Sequence, residues 1–168
     1  MKQQRILTIA LLSLSLVACM SAGYRSANTS ISVNNYEAHF GSWAYSSDTS
    51  IFENSICRPE NTTVFVTLEP KELKEIGATA AASGFFELPK RIDPNEHPDG
   101  KVTVCGGGTV LKVDIVHMGK SNSVTWNSSC TAAGDRSPPK ELAQVVNLLN
   151  KTLYQKDTVK ELASSKCR

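Results

Sequence analysis

Three features of this 168-residue chain predict an α+β fold, an antiparallel sheet or meander with two amphipathic helices packed on one face. Two segments, 70–83 and 138–153, carry apolar residues at helical spacing. Several others alternate apolar and polar residues with period two, as half-buried strands do. Turn-forming clusters such as Asp93-Pro94 and Pro98-Asp99-Gly100 keep connections short, and short connections favour antiparallel neighbours.

In chain order, residues 1–18 come first: a basic start with Lys2 and Arg5, an apolar run from Ile6 to Val17, and Ala18 before Cys19. This is the layout of a secretory signal peptide, and a dozen apolar residues fall short of the roughly 20 that span a bilayer. Leu16-Val17-Ala18-Cys19 resembles the lipobox of bacterial lipoproteins. The resemblance implies a diacylglyceryl thioether on the Cys19 thiol, cleavage before Cys19, and acylation of the new amino terminus by fatty acids such as palmitate. Cysteine suits that step because its thiolate is the side-chain nucleophile for thioether formation. Each buried CH₂ adds about 0.8 kcal/mol, so several acyl chains anchor a protein firmly to a membrane. Met20, rather than Asp, follows the cysteine, which in the enterobacterial pattern implies the outer membrane, with the protein facing the periplasm.

The mature product would begin at Cys19. Residues 19–35 are rich in Ser, Asn, Ala and Thr and are expected to form a flexible tether, leaving 36–168 as a single α+β domain. Tyr36 to Tyr45 is aromatic-rich and reads as one strand. Thr62 to Leu68 reads as another, with Val64, Val66 and Leu68 on one side and Thr63, Phe65 and Thr67 on the other. Pro70 suits the first turn of a helix in which Leu73, Ile76 and Ala80 share a face, and Gly84 supplies its stop. Phe85-Phe86 would seat that helix on the sheet.

Ile92 to Gly100 is expected to be turn-rich, and Lys101 to Val104 a short strand. Thr109 to His117 places Leu111, Val113 and Ile115 inward against Lys112 and Asp114. A turn over Met118 to Asn122 leads to a strand over Ser123 to Asn127, with Val124 and Trp126 inward. Ser137 is positioned as an N-cap with Pro138 at the first helical position, before the stripe Leu142, Val145, Val146, Leu149 and Leu153. Residues 157–163 are expected to add a short last turn before the end.

Composition excludes some functions. Of 18 Lys and Arg, two lie in the leader, so the remaining 16 balance 16 Asp and Glu. A neutral body offers no field that would draw nucleic acid, and none is expected as a partner. Without Cys19, four cysteines remain in an exported chain. Pairing of the strands around Val113 and Val124 would bring Cys105 near Cys130, which leaves Cys57 for Cys167. Closing loops of these sizes is worth about 3.5 and 4.8 kcal/mol in the chain-entropy estimate. No cysteine pair has zinc-ligand or Cys-x-x-Cys spacing, so neither a metal nor another cofactor is expected.

Candidate chemistry is sparse. Gly106-Gly107-Gly108 leads into a strand rather than a helix, which is a turn or bulge and not a phosphate loop. Asp93, Glu96 and Asp99, with His97 among them, form an acidic cluster but lack the calcium-loop register. His39 and His117 lie in predicted strands with no nucleophile motif near them, and only a pocket joining His117 with Asp114 or Glu87 would suggest an enzyme. Phe40, Trp43 and Tyr45 form a candidate interaction surface if their strand face is wet, and core if it is dry.

The run Leu73-x-x-Ile76-x-x-x-Ala80-x-x-Ser83-Gly84-Phe85-Phe86-x-Leu88-Pro89 is followed by Pro98-Asp99-Gly100, by Leu111, Val113, Ile115, Gly119 and Val124, and by Pro139, Leu142, Val145 and Leu148. Over about half the chain this resembles the emfourin group of small metalloprotease inhibitors. The resemblance implies a small binding domain that inhibits a protease. Phe40-Gly41-Ser42-Trp43 stands where that group has Gly-Gly-Phe, and no inhibitory residue is assigned from it. The expected activity is therefore that of a lipid-anchored, non-catalytic envelope protein that binds a protein partner, or alternatively of an accessory lipoprotein in the assembly of a larger envelope complex.

Overall fold

A computed structural model describes residues 29–37, 41–55, 62–93, 108–128 and 137–164. The fold is α+β. Seven strands, β1 (Ser30–Glu37), β2 (Gly41–Ser46), β3 (Ile51–Asn54), β4 (Thr62–Phe65), β5 (Arg91–Ile92), β6 (Thr109–His117) and β7 (Lys120–Asn127), form one sheet in the order β4-β3-β2-β1-β6-β7-β5. Three helices, α1 (Pro70–Ser83), α2 (Lys140–Leu153) and α3 (Asp157–Ser164), contribute to the same core.

Strand pairing explains the core. One inward row runs Val64, Phe52, Tyr45, Val33, Val113, Val124 across six strands. The five members from Phe52 to Val124 are at most 2% exposed. Because strand side chains alternate faces, that register leaves Ser32, Asn34, Ala44 and Glu53 on the opposite side. The α2 stripe Leu142, Val145, Val146, Leu149 and Leu153 is buried as its spacing predicts, and Val159 and Leu162 of α3 join it.

Helix α1 connects the two edges of the sheet, leaving β4 and arriving at β5. Pro70 opens it and Gly84, at φ 89°, closes it in the left-handed conformation that glycine tolerates. Phe85, fully buried, starts a 3₁₀ turn that packs on β7. The Asn122 side-chain amide donates to the carbonyls of Phe85 (3.0 Å) and Leu88 (2.9 Å), fixing this return against the sheet. The Glu72 carboxylate ties both ends of the helical layer together: it accepts from the Glu69 N–H at 2.7 Å and lies 2.7 Å from the Lys156 ammonium, just beyond α2.

Five expectations are corrected. The tether ends early, since Ser30 to Asn35 belong to β1, a central strand; Ile31 and Val33 alone carry its buried face, so its mean composition looks like a linker. Tyr36 to Tyr45 is not one strand, because Gly41 at φ 110° begins a separate one. The sheet is mixed rather than wholly antiparallel: β5 runs parallel to β7, its approach secured by the Thr125 N–H donating to the Lys90 carbonyl at 2.8 Å. The turn at Met118 is two residues long, with φ 48° at Met118 and 80° at Gly119, and β7 starts at Lys120 instead of Ser123. Helix α2 begins at Lys140 with Pro139 as its N-cap, not at Pro138 after Ser137. A residue preceding proline is disfavoured in helical conformation, so Pro138 cannot open the helix.

The Thr62–Leu68 faces agree with expectation, although pairing stops at Phe65: Val66 and Leu68 are buried, Thr63, Phe65 and Thr67 exposed. The predicted strand over Lys101 to Val104 lies outside the described residues.

Candidate interaction surface

The outer face of the sheet is crossed by three rows of side chains. One runs Phe65, Ile51, Ser46, Ser32, Asp114; the next Thr63, Glu53, Ala44, Asn34, Lys112; the third Ser42, Tyr36, Val110. Small residues occupy the middle strands and larger ones the flanks, which makes a trough. Two adjoining depressions of about 270 and 200 Å³ share Asn34, Ala44 and Glu53. From Glu53 to Lys112 is three strand spacings, or about 14 Å, wide enough for a helix of about 10–12 Å with its side chains or for an extended segment.

Polar groups fix the far end of this trough. The Ser42 N–H donates to the Ser55 hydroxyl oxygen and the Ser55 N–H to the Ser42 carbonyl, at 2.9 and 2.8 Å. Beside them Tyr36 is 56% and Val110 37% exposed. Glu53 provides a negative wall, while on the opposite wall Lys112 sits 3.5 Å from Asp114 in a largely exposed ion pair, worth little to stability and available to a partner.

Trp43 and Tyr45 do not form a surface: of the two alternatives for their strand face, the dry one holds, and both belong to the core. They point inward, 9% and 2% exposed. Trp43 packs on Phe52 with ring centroids 6.3 Å apart, and the Tyr45 hydroxyl donates to the Val66 carbonyl at 3.2 Å. Burial pushes the Tyr45 phenol up to about 12. Phe40 lies outside the described residues. The exposed aromatic of this region is Tyr36, one strand earlier. The alternation Ser30-Ile31-Ser32-Val33-Asn34 was the available signal for it, outweighed by polar composition.

His117 ends β6 on the inner face, 5% exposed, with Nδ1 2.8 Å from the Thr29 hydroxyl. The imidazole lies directly under Gly77 of α1. Asp114 faces the opposite side of the same strand, and Glu87 is exposed in the 3₁₀ turn, so the three are not brought together. Asp93 lies 3.3 Å from Arg91, while Glu96, His97 and Asp99 lie outside the described residues, as do His39 and all five cysteines. The described ends of β6 and β7 do meet, the Ser128 N–H donating to the Thr109 carbonyl at 2.9 Å.

Among the described residues no group of three or more His, Cys, Asp or Glu could hold a metal ion, and no helix is long and apolar enough to cross a membrane. A scan against protein-family models and a search of curated proteins both find no match to the chain.

Proposed function

We propose that this chain is a lipid-anchored, non-catalytic binding module of the bacterial cell envelope, held at the outer membrane through Cys19 and presenting the outer face of its sheet to a protein partner. The observation that carries the reading is the trough between Glu53 and Lys112, with Tyr36 and Val110 exposed at one end. A face of this kind, polar with isolated aromatic and aliphatic anchors and an opposite charge on each wall, suits protein recognition, in which a few such side chains supply most of the binding energy. Its floor carries no convergent nucleophile, base and orienting group, so the surface favours binding over turnover. The resemblance to the emfourin group makes an envelope or secreted protease the partner class to test first. Two disulfides, Cys105 with Cys130 and Cys57 with Cys167, belong to the same proposal.

Affinity capture from crosslinked envelope fractions tests it. Wild-type protein should recover a partner that a Tyr36→Ser, Val110→Ser double variant does not, and a Cys19→Ala variant should recover less because it is released from the membrane. Equal recovery by wild type and the double variant would overturn the assignment of this surface. Recovery in fixed stoichiometry with several envelope proteins would instead favour the assembly role.

A further inference from the structure

The two most exposed large apolar residues among those described are Phe65, at 75%, and Met118, at 71%. Phe65 ends β4 and Met118 sits in the turn between β6 and β7, yet both lie at the same pole of the sheet. Ser30 opens β1 opposite Val116, and His117, next to Met118, bonds Thr29; Phe65 closes β4 opposite Ile51, in the row of Ser46 and Ser32. Val116, 41% exposed, lies on the outer face of β6, two residues before Met118. Met118 is further distinguished by its backbone. A two-residue hairpin turn with positive φ at both positions favours Asn or Gly at the first, whereas here an apolar side chain is held there at φ 48° and projected outward.

This is also the pole from which the chain runs back to Cys19. Thr29 comes ten positions after Cys19, and ten positions of chain reach at most about 33–36 Å when fully extended. The opposite pole, with Tyr36, Ser42 and Val110, lies about 24 Å further along β1. Exposed charges of both signs lie near the first pole, Lys120 and Asp48 on the turns and Glu69, Lys71, Lys74 and Glu75 at the start of α1, so the case for a bilayer contact rests on the apolar side chains.

We infer that the pole bearing Met118, Val116 and Phe65 rests on the lipid surface that holds Cys19, so that the Tyr36 end of the trough points away from the membrane toward the partner. This inference rests on lipidation of Cys19. The occupant is the bilayer itself, because the covalent anchor holds that pole within a few nanometres of lipid and two large apolar side chains are exposed there. Such weak second contacts add to an acyl anchor without any need for deep insertion.

The lipoprotein purified from membranes and placed in phosphatidylethanolamine–phosphatidylglycerol nanodiscs provides the test, with a headgroup-nitroxide lipid added and backbone amide signals followed by NMR. Signals of Phe65, Met118 and Gly119 should be lost while those of Tyr36, Ser42 and Val110 persist, and Met118→Glu with Phe65→Ser should restore signal at Gly119. Equal attenuation at both poles, or greater loss at Tyr36, would overturn the orientation. Mass spectrometry of the N-terminal peptide from the same sample separates the premises: a Cys19 without its diacylglyceryl adduct overturns the anchor, and the orientation with it, whereas a lipidated Cys19 with no polar bias overturns the orientation alone.

Discussion

Gly77→Ala separates helix propensity from packing at one atom. In a solvated helix interior this change stabilises by about 1 kcal/mol, since alanine loses less backbone freedom than glycine. Here a Cβ on Gly77 falls on the buried His117 imidazole, 2.5 Å from Cγ and 2.8 Å from Cε1, and nearer still to Nδ1. Neither side can yield cheaply, because α1 is seated by Ile76 and Ala80, each 0% exposed, and His117 is held by Thr29. Overpacking of a close-packed site costs about 1–3 kcal/mol. Moving the ring also weakens the Thr29 hydrogen bond, worth about 0.5–1.5 kcal/mol. With the propensity gain subtracted, the variant should be destabilised by about 0.5–3.5 kcal/mol. Urea denaturation followed by circular dichroism should show a lower midpoint at unchanged slope. A double-mutant cycle with His117→Ala should show most of the loss relieved, since the clashing ring is gone. A Gly77→Ala protein more stable than wild type would refute the seating of α1 on His117.

Other outcomes follow from the same structure. Leu149→Ala, at a position 0% exposed in the α2 stripe, should cost about 2–5 kcal/mol in the same assay, whereas Tyr36→Ser on the outer face should stay within about 0.5 kcal/mol of wild type. Burial raises the Glu72 carboxyl, but the Lys156 ammonium and the Glu69 N–H outweigh it and hold the group below the ordinary carboxylate range. Its contribution is therefore present above the unfolded carboxylate pKa and lost as pH falls through the folded value, so Glu72→Gln should destabilise at pH 7 by about 1 kcal/mol and converge on wild type in acid. Because the Tyr45 phenol ionises near 12 and an unfolded one near 10, stability should fall as pH rises above 10, and Tyr45→Phe should remove that slope while losing the hydrogen bond to Val66. Peptide mapping without reduction should recover Cys105 linked to Cys130 and Cys57 linked to Cys167; any other pairing counts against the proposed bridges.

Periodicity made much of the fold legible. The faces of Thr109 to His117, the helix over 70–83 and the α2 stripe each follow from side-chain spacing, because each has enough repeats for its period to stand out. β1 was hidden because a central strand with one wet face needs only Ile31 and Val33, and Ser and Asn fill the rest. β3 has four residues and β5 two, too few for any pattern to show; their pairing is imposed by neighbours already in the sheet. Burial of Trp43 and Tyr45 could not be read from their own strand, since alternation says which residues share a face and not which face the helices cover. The trough was less legible still. Its floor of Ser32, Asn34 and Ala44 is a matter of cross-strand register between β1, β2 and β6, which no local segment encodes.

If the outer face of the sheet is the binding surface, a partner must contact it in the envelope. A photoreactive benzoylphenylalanine in place of Tyr36, compared with the same group in place of Gln144 on the exposed side of α2, tests it in intact envelopes. Position 36 should yield a specific crosslinked partner and position 144 none; a partner captured only from 144 would contradict the assignment of the outer face.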